Sequence, residues 1–522
     1  MASITKQTVG NNTYLYESHS FRDKEGRPRN TKTKIGKIDR KTGNAVYNGE
    51  YIDRMNAAGT PVGIPETDVP EKVCEALDNI KAYGMFYFLE KVAEKTNIIS
   101  MLQQAIPKYW REICNLCFYL IANDKPLLCM EEWLSENESY PCTRMNSQRL
   151  SELLAAFGHK EHCEFFRMWI GANKSDEYMA LDITSISSYS RQMLSNERGY
   201  NRDGENPPQI NLCLLFGEET QLPAYQTIYP GSIMDVATFR STVAEMNVLK
   251  GEKKLVLVMD KGFYGEKNIE MLIENQCEFL MAVPFSNTWS KELIEKERGN
   301  IDRASNFINA MGAPERGVSR RIDLCGYKLT AHLLYDPEKE VRCRNNLYDF
   351  VSYLKQSVKA GKAPVACKKD IDTYLSIGKN NSVRIREDAL RRELETVGWF
   401  LILGNGKITA QKAHDIYSKK DVIEKAFMKY KNLLGFHRLH IHSDLRMKNK
   451  LFVGFIALII ISHIHKVMKE KDLYSKMTME KLLLTLSKIK KTTINGTQII
   501  RPLTREQREI LYTFSVPFPF VG

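Results

Sequence analysis

Lys254-Leu-Val-Leu-Val-Met-Asp260 is the stretch that most narrows what this chain can fold into. Its apolar run is short, rich in β-branched residues and bounded by charges, so it reads as a strand. A strand without polar alternation is covered on both faces, which places it inside a sheet with helices on its faces. Its neighbours agree. Tyr178–Thr184, Ile210–Phe216 and Ala224–Tyr229 read as strands, Asp235–Leu249 and Lys267–Asn275 as helices, and Glu278–Val283 as a further strand. Three sequential strands followed by βαβ crossovers predict an α/β fold with a mixed sheet flanked by helices.

Two acids fall where such a sheet builds a site. Asp182 sits late in the first strand and Asp260 ends the fourth. In α/β sheets, ligands bind beyond strand ends, above all where the strand order switches. Carboxylates on neighbouring strands repel one another unless a divalent cation lies between them. Either acid alone has an ordinary reading, Asp182 satisfied by Thr184 or Ser185 and Asp260 by Lys261.

A third charged element follows at Tyr417-Ser-Lys-Lys-Asp-Val-Ile-Glu424-Lys-Ala-Phe-Met-Lys-Tyr-Lys431. Good helix formers and the absence of Gly or Pro predict one helix. At helical spacing Tyr417, Lys420, Glu424 and Lys431 share one stripe, while Val422, Ile423, Ala426 and Phe427 pack elsewhere. A stripe like this is most often a salt-bridged surface. A carboxylate between cations also suits a phosphodiester-cutting site, the acid holding metal and the cations holding phosphates. Asp182 and Asp260 upstream favour the second reading.

The rest of the 522 residues divides by pattern. Residues 1–60 alternate short β-like segments with turns and predict a small basic β domain. A Gly- and Pro-rich linker follows around Ala58–Pro70. Residues 71–175 are helical in pattern (Val73–Thr96, Ile98–Ile106, Trp110–Asn123, Ser147–Phe157) and are the candidate reader of DNA ends. Residues 176–285 form the first part of the core. Residues 286–397 read as an insertion domain. The core resumes over 398–470 with the strand Trp399–Leu403, and 471–522 form a helical tail whose last helix opens on the capping-box pattern Thr504-Arg-Glu-Gln507. The apolar run Leu451–Ile461 is too short to span a bilayer, which takes about 20 residues, and reads as a buried helix.

Net charge is +12 with pI about 9.0, which favours a polyanionic partner. Lys and Arg concentrate between Lys419 and Lys450, where nine basic residues face three acids; His437, His440 and His442 lie there too and suit phosphate contacts better than hard-cation ligation. Eleven cysteines lack framework spacing and no signal-peptide pattern opens the chain, which predicts reduced thiols and a cytoplasmic protein. Cys114-Asn-Leu-Cys117 lies in an apolar run and reads as core rather than zinc ligand.

These residues together resemble a bacterial insertion-sequence transposase of the DDE type with an RNase H-like core. Tyr417, Lys420, Glu424 and Lys431 are similar to the Y-x2-R-x3-E-x6-K signature of insertion sequence family four, with Lys420 in place of the usual Arg. Leu181-Asp-Ile-Thr-Ser185 and Val258-Met-Asp-Lys-Gly-Phe-Tyr-Gly265 resemble the first and second catalytic Asp segments. Tyr229-Pro-Gly-Ser-Ile-Met-Asp235 is similar to the P-G-x-x-x-D segment between them. The resemblance covers 176–470 and reaches 1–175 only in general plan.

The resemblance implies cut-and-paste DNA transposition: metal-dependent cleavage at the element's ends, then 3′-OH strand transfer into target DNA. Asp182, Asp260 and Glu424 would be catalytic and hold two Mg²⁺ or Mn²⁺. Tyr417, Lys420 and Lys431 would bind DNA phosphates. The lysine at 420 keeps the charge of Arg but loses its bidentate fork. Partners would be double-stranded DNA, as terminal inverted repeats and target, and a second copy in a synaptic complex, with no membrane and a nucleoid-associated location. Trp289 and Trp399 are candidates to stack on an unpaired base, with core packing favoured for Trp399. An RNase H-like nuclease and a catalytically silent, transposase-derived DNA-binding regulator are the competing expectations.

Overall fold

The computed structural model describes residues 3–40, 43–58, 80–172, 177–201, 204, 206–233, 235–250, 256–310, 313–378, 382–436, 438–494 and 497–519. The expected linker from residue 59 onward and the start of the helix expected at Val73 lie outside these residues. The chain divides into two compact units, Met1–Ile80 with Thr492–Thr497, and Lys81–Lys491 with Gln498–Gly522.

The first unit carries an antiparallel meander in the order β1 (Ser3–Val9), β2 (Asn12–Arg22), β3 (Pro28–Ile38) and β4 (Ala45–Tyr47). The sequence pattern did not predict the helix Gly49–Ala57 that follows. Asn48 caps it, accepting from the Tyr51 amide, and Tyr51 closes a small core with Leu15 and Ile35.

In the second unit, helices Gly84–Lys95, Ile98–Ala105, Trp110–Ala122, Ser147–Leu153 and His159–Ala172 form a layer, with Gly84–Lys95 and Trp110–Ala122 packed against the long helix Asp444–Glu470. All of Leu451–Ile461 is buried. By length and composition this helix could cross a membrane, but most of its apolar stretch is packed inside the protein. Cys114 and Cys117 are buried thiols, and the Cys117 Sγ–H donates to the Val453 carbonyl, so the pair is core packing between helices.

After β5 (Lys81–Ala82), the central sheet is mixed α/β in character. Its strands are β6 (Tyr178–Ser187), β7 (Gln209–Gly217), β8 (Pro223–Pro230), β9 (Val256–Met259), β10 (Glu278–Ala282), β11 (Phe307–Ala310), β12 (Ala313–Leu324), β13 (Tyr327–Tyr335) and β16 (Trp399–Gly404). The spatial order is β11-β12-β13-β16-β10-β9-β6-β7-β8. β6, β9 and β10 run parallel, while β7, β8 and β16 run antiparallel to their neighbours. Every residue of β9 is buried, as its unbroken apolar run requires.

The segment expected as an insertion, 286–397, adds β11, β12 and β13 to this same sheet, β13 pairing directly with β16. Its remainder, the helices Pro337–Lys359, Lys368–Tyr374 and Glu387–Leu394 with the hairpin β14 (Leu375–Ile377) and β15 (Val383–Ile385), packs around its own core of Val351, Leu354, Ile371, Leu375, Val383 and Leu390. In the tail, the capping box forms as the sequence predicts, with Thr504 and Gln507 each bonding the other's backbone amide.

Candidate active site

The parallel register of β6 and β9 sets the site. Leu181 pairs with Met259, so Asp182 and Asp260 follow at the same level. Asp260 lies just past the end of β9, and Asp182 lies midway along β6 rather than late in it, because β6 runs on to Ser187 against β7. Neighbouring strands lie about 4.8 Å apart, which brings the two carboxylates to one place. Each is braced by backbone: Asp182 Oδ1 accepts from the Ile183 amide at 2.8 Å, and Asp260 Oδ1 from the Lys261 amide at 2.7 Å. Asp260 thereby caps the short turn Lys261–Phe263.

The third element differs from the expected single helix. It is broken into a helix Ala410–Ser418, a tight turn at Lys419–Lys420, a helix Asp421–Met428 and a π-helical turn Lys429–Leu433. At the break the amides of Lys419, Lys420, Val422 and Ile423 all bond three residues back, at 3.1 Å. This 3₁₀-type winding turns the chain between the two helices without Gly or Pro. The helix Asp421–Met428 then packs against β6 and β7 through Ile423, Ala426 and Phe427.

The break divides the expected stripe by environment. Tyr417, at the end of the first helix, donates its hydroxyl to Asp260 Oδ1 at 3.3 Å. Lys420, buried in the turn, places Nζ 3.9 Å from Asp182 Oδ2. Lys431 is buried in the π turn, whereas Glu424 is exposed on the second helix. Burial, and then the Asp260 carboxylate, push the Tyr417 hydroxyl well above its usual range, with smaller contributions from Asp182 and Glu424. One phenol thus senses all three acids, and it stays protonated at any working pH.

Asp182, Asp260 and Glu424 offer oxygen donors alone, the chemistry that hard divalent cations take. Among the described residues no three potential metal ligands stand close enough to form one group, so the trio is not preassembled. Asp182 faces an ammonium and Asp260 a phenol instead.

Sequence reasoning missed how the loop after β6 is fixed. Asp444, the first residue of the long helix, accepts from the amides of Leu194 and Ser195. Ser188 donates to the Leu439 carbonyl. Asn211 reaches the carbonyls of Gly231 and Ile233 at 3.4 and 3.0 Å. Gly231 lies so close to this loop that a Cβ there would stand 2.4 Å from the Glu197 carbonyl and 2.2 Å from that of Gln209. The Pro-Gly segment is therefore a backbone crossing that only glycine permits.

Of the two tryptophans, Trp399 is buried in β16 and packs on Tyr335 at 4.7 Å between ring centroids. Trp289 is half-buried, its indole donating to the Tyr264 hydroxyl. His440 and His442 are exposed, and His437 lies outside the described residues.

Residues 174–460 match the family described as Transposase DDE domain. No curated protein matches the sequence. Among solved structures the chain is similar to the piggyBac transposase in a synaptic complex with hairpin DNA, at 11% identity and TM-score 0.35, over 69% of this chain and 61% of that one. It is also similar to the Drosophila P element transposase in a strand transfer complex, at 11% identity and TM-score 0.20, over 69% of this chain and 79% of that one. The chain therefore spans less than two thirds of the piggyBac structure's length.

Proposed function

This chain belongs to the transposase DDE domain family, and from that membership we propose that it cuts DNA at the ends of its own element and joins the freed 3′-OH to target DNA. The observation that carries the proposal is the paired register of Asp182 and Asp260, with Tyr417 linking Asp260 to the segment that bears Glu424. The order β8-β7-β6-β9-β10, with β7 antiparallel and β9 parallel to β6, supports reading the core as RNase H-like.

In this reading Asp182, Asp260 and Glu424 hold divalent cations, two Mg²⁺ or Mn²⁺. When bound, such cations supply activation of water or a 3′-OH and stabilisation of the leaving oxygen. Glu424 starts from an exposed position, and its approach to the aspartates on DNA binding is part of the proposal. Tyr417 orients the Asp260 carboxylate by donating to it. Lys420 and Lys431 bring positive charge to backbone phosphates, and Lys420 neutralises Asp182 until a phosphate competes for it. The tyrosine, lysine and glutamate spacing supports an insertion-sequence element of family four, of bacterial and cytoplasmic setting, whose transposase pairs two DNA ends as a dimer.

The test is cleavage and joining of DNA carrying the flanking element ends, with Mg²⁺ or Mn²⁺, for wild type and Glu424→Gln. Wild type should cut and join, and the variant should bind the ends but cut at least about 100-fold more slowly, since a metal ligand contributes several kcal/mol to the transition state. Equal cutting by both proteins would remove Glu424 from the site. Binding without cutting by both would make the chain a silent DNA-binding derivative.

A further inference from the structure

Where the second turn of the helix Asp444–Glu470 passes the helical layer, it leaves a cleft of about 680 Å³. That is within the range of ligand sites, roughly 300–1,000 Å³. Arg446 and Lys450, four residues apart on one helix face, form a cationic wall, and Lys125 also lines the cleft. Leu127, Leu128, Leu150 and Leu434 are among the apolar residues opposite.

Lys450 is the unusual member. It is 7% exposed, and its ammonium lies over the Phe436 ring, 5.4 Å from the centroid. No acid among the described residues pairs with it, although Asp124 also lines the cleft. Burial alone pulls its pKa down to about 8. Among the described residues Arg446 donates through its Nε–H, to the Ser151 carbonyl at 3.0 Å, which leaves the ends of its fork for an acceptor. A buried cation without a counter-charge is costly, and an anion in the cleft offsets that cost. The helix itself is held rigidly here, because Asn449 bonds the Leu154 and Phe157 carbonyls at 3.0 and 2.6 Å.

We propose that this cleft seats a backbone phosphate of bound DNA between Arg446 and Lys450, with the adjoining sugar and base against the leucine wall. The guanidinium fork matches phosphate oxygens, and an apolar face suits a sugar and base better than a bare ion. The inference rests on the DNA-processing reading above and adds an anchor outside the carboxylate site.

Anisotropy of a short labelled duplex, titrated with salt, tests it with wild type, Lys450→Met and Lys450→Arg. Lys450→Met should weaken binding several-fold and lower the salt slope by about one, while Lys450→Arg keeps both. The Met variant should melt no lower than wild type, because it removes an unpaired buried charge. Should it misfold, acylation of Lys450 in the wild type, read by mass spectrometry, gives the answer without a variant: duplex DNA should protect the amine. An unchanged salt slope and no protection overturn the proposal. Protection by inorganic phosphate but not by duplex overturns the DNA assignment and leaves a small-phosphate site. A wild type that binds no duplex even at low salt defeats the functional reading itself, a result distinct from these.

Discussion

At the scale of the residue, Tyr417 joins two parts of the candidate site that are far apart in sequence. Its bond to Asp260 spans 157 positions and adds a second donor to the oxygen that the Lys261 amide already holds. Tyr417→Phe should keep the fold and slow cleavage about tenfold or more, the value of one hydrogen bond to a charged group; single-turnover cleavage would measure it. Glu218 gives a second prediction. It is buried at the β7–β8 turn with one carboxyl oxygen lacking a partner, and burial foremost raises its pKa to about 8 against the pull of Lys419. Near pH 4.5 and below, folded and unfolded chains both hold the proton. Between about pH 4.5 and 8 the unfolded chain gives it up and the folded chain does not, so stability falls as pH rises. Glu218→Gln should therefore melt like wild type at low pH and be more stable by roughly 2–5 kcal/mol above pH 8, seen in paired thermal scans. Asp182 and Asp260 were legible in the sequence as candidates because an acid on an apolar strand is costly to bury and needs a cation or a donor to offset it. The orphaned Glu218 was not, since its burial depends on how the turn folds back.

At the scale of the element, the site segment is the instructive case. Composition gives a single helix from Tyr417 to Lys431, and nothing in the residues marks a break. The break comes from packing: the first helix lies over β11 to β13, the second over β6 and β7. One straight rod cannot follow both. The π turn after it serves the same end. It directs Tyr430 inward, where its hydroxyl donates to the Leu451 carbonyl at 2.6 Å and its ring packs on Phe436 at 4.7 Å. Both rings sit on Gly454, where a Cβ would stand 2.7 Å from the Phe436 ring and 2.8 Å from the Tyr430 hydroxyl. Gly454→Ala should cost about 1–3 kcal/mol despite its better helix propensity, measurable as a lower denaturant midpoint with an unchanged slope.

At the scale of the whole molecule, the sheet absorbs part of what the sequence presents as an interruption. Charged helices and loops over 286–397 break the α/β pattern, yet β11, β12 and β13 complete nine strands. The helical remainder leaves from Tyr335 and returns at Trp399, which are register partners, and the Asp336 amide donates to the Gly398 carbonyl at 2.8 Å. Deleting 337–397 would join Asp336 to Gly398, an Asp-Gly pair suited to a two-residue hairpin turn. The shortened chain should still unfold cooperatively, with Tm lower by less than about 10 °C, as followed by circular dichroism. Loss of the cooperative transition would mean that the helices hold the sheet together.

The sequence by itself determined the α/β core, an acid within β6 and another just past the end of β9, the buried long helix and the family. These follow from local periodicity and from residue types whose chemistry restricts where they can sit. Only the tertiary structure decided the register that sets Asp182 beside Asp260, the fracture of the candidate site helix, the joining of β13 to β16 and the burial of Lys450 without an acid partner among the described residues. Each of these depends on which surfaces meet across long sequence separations, and a change in packing alters that outcome while leaving the local pattern of residues unchanged.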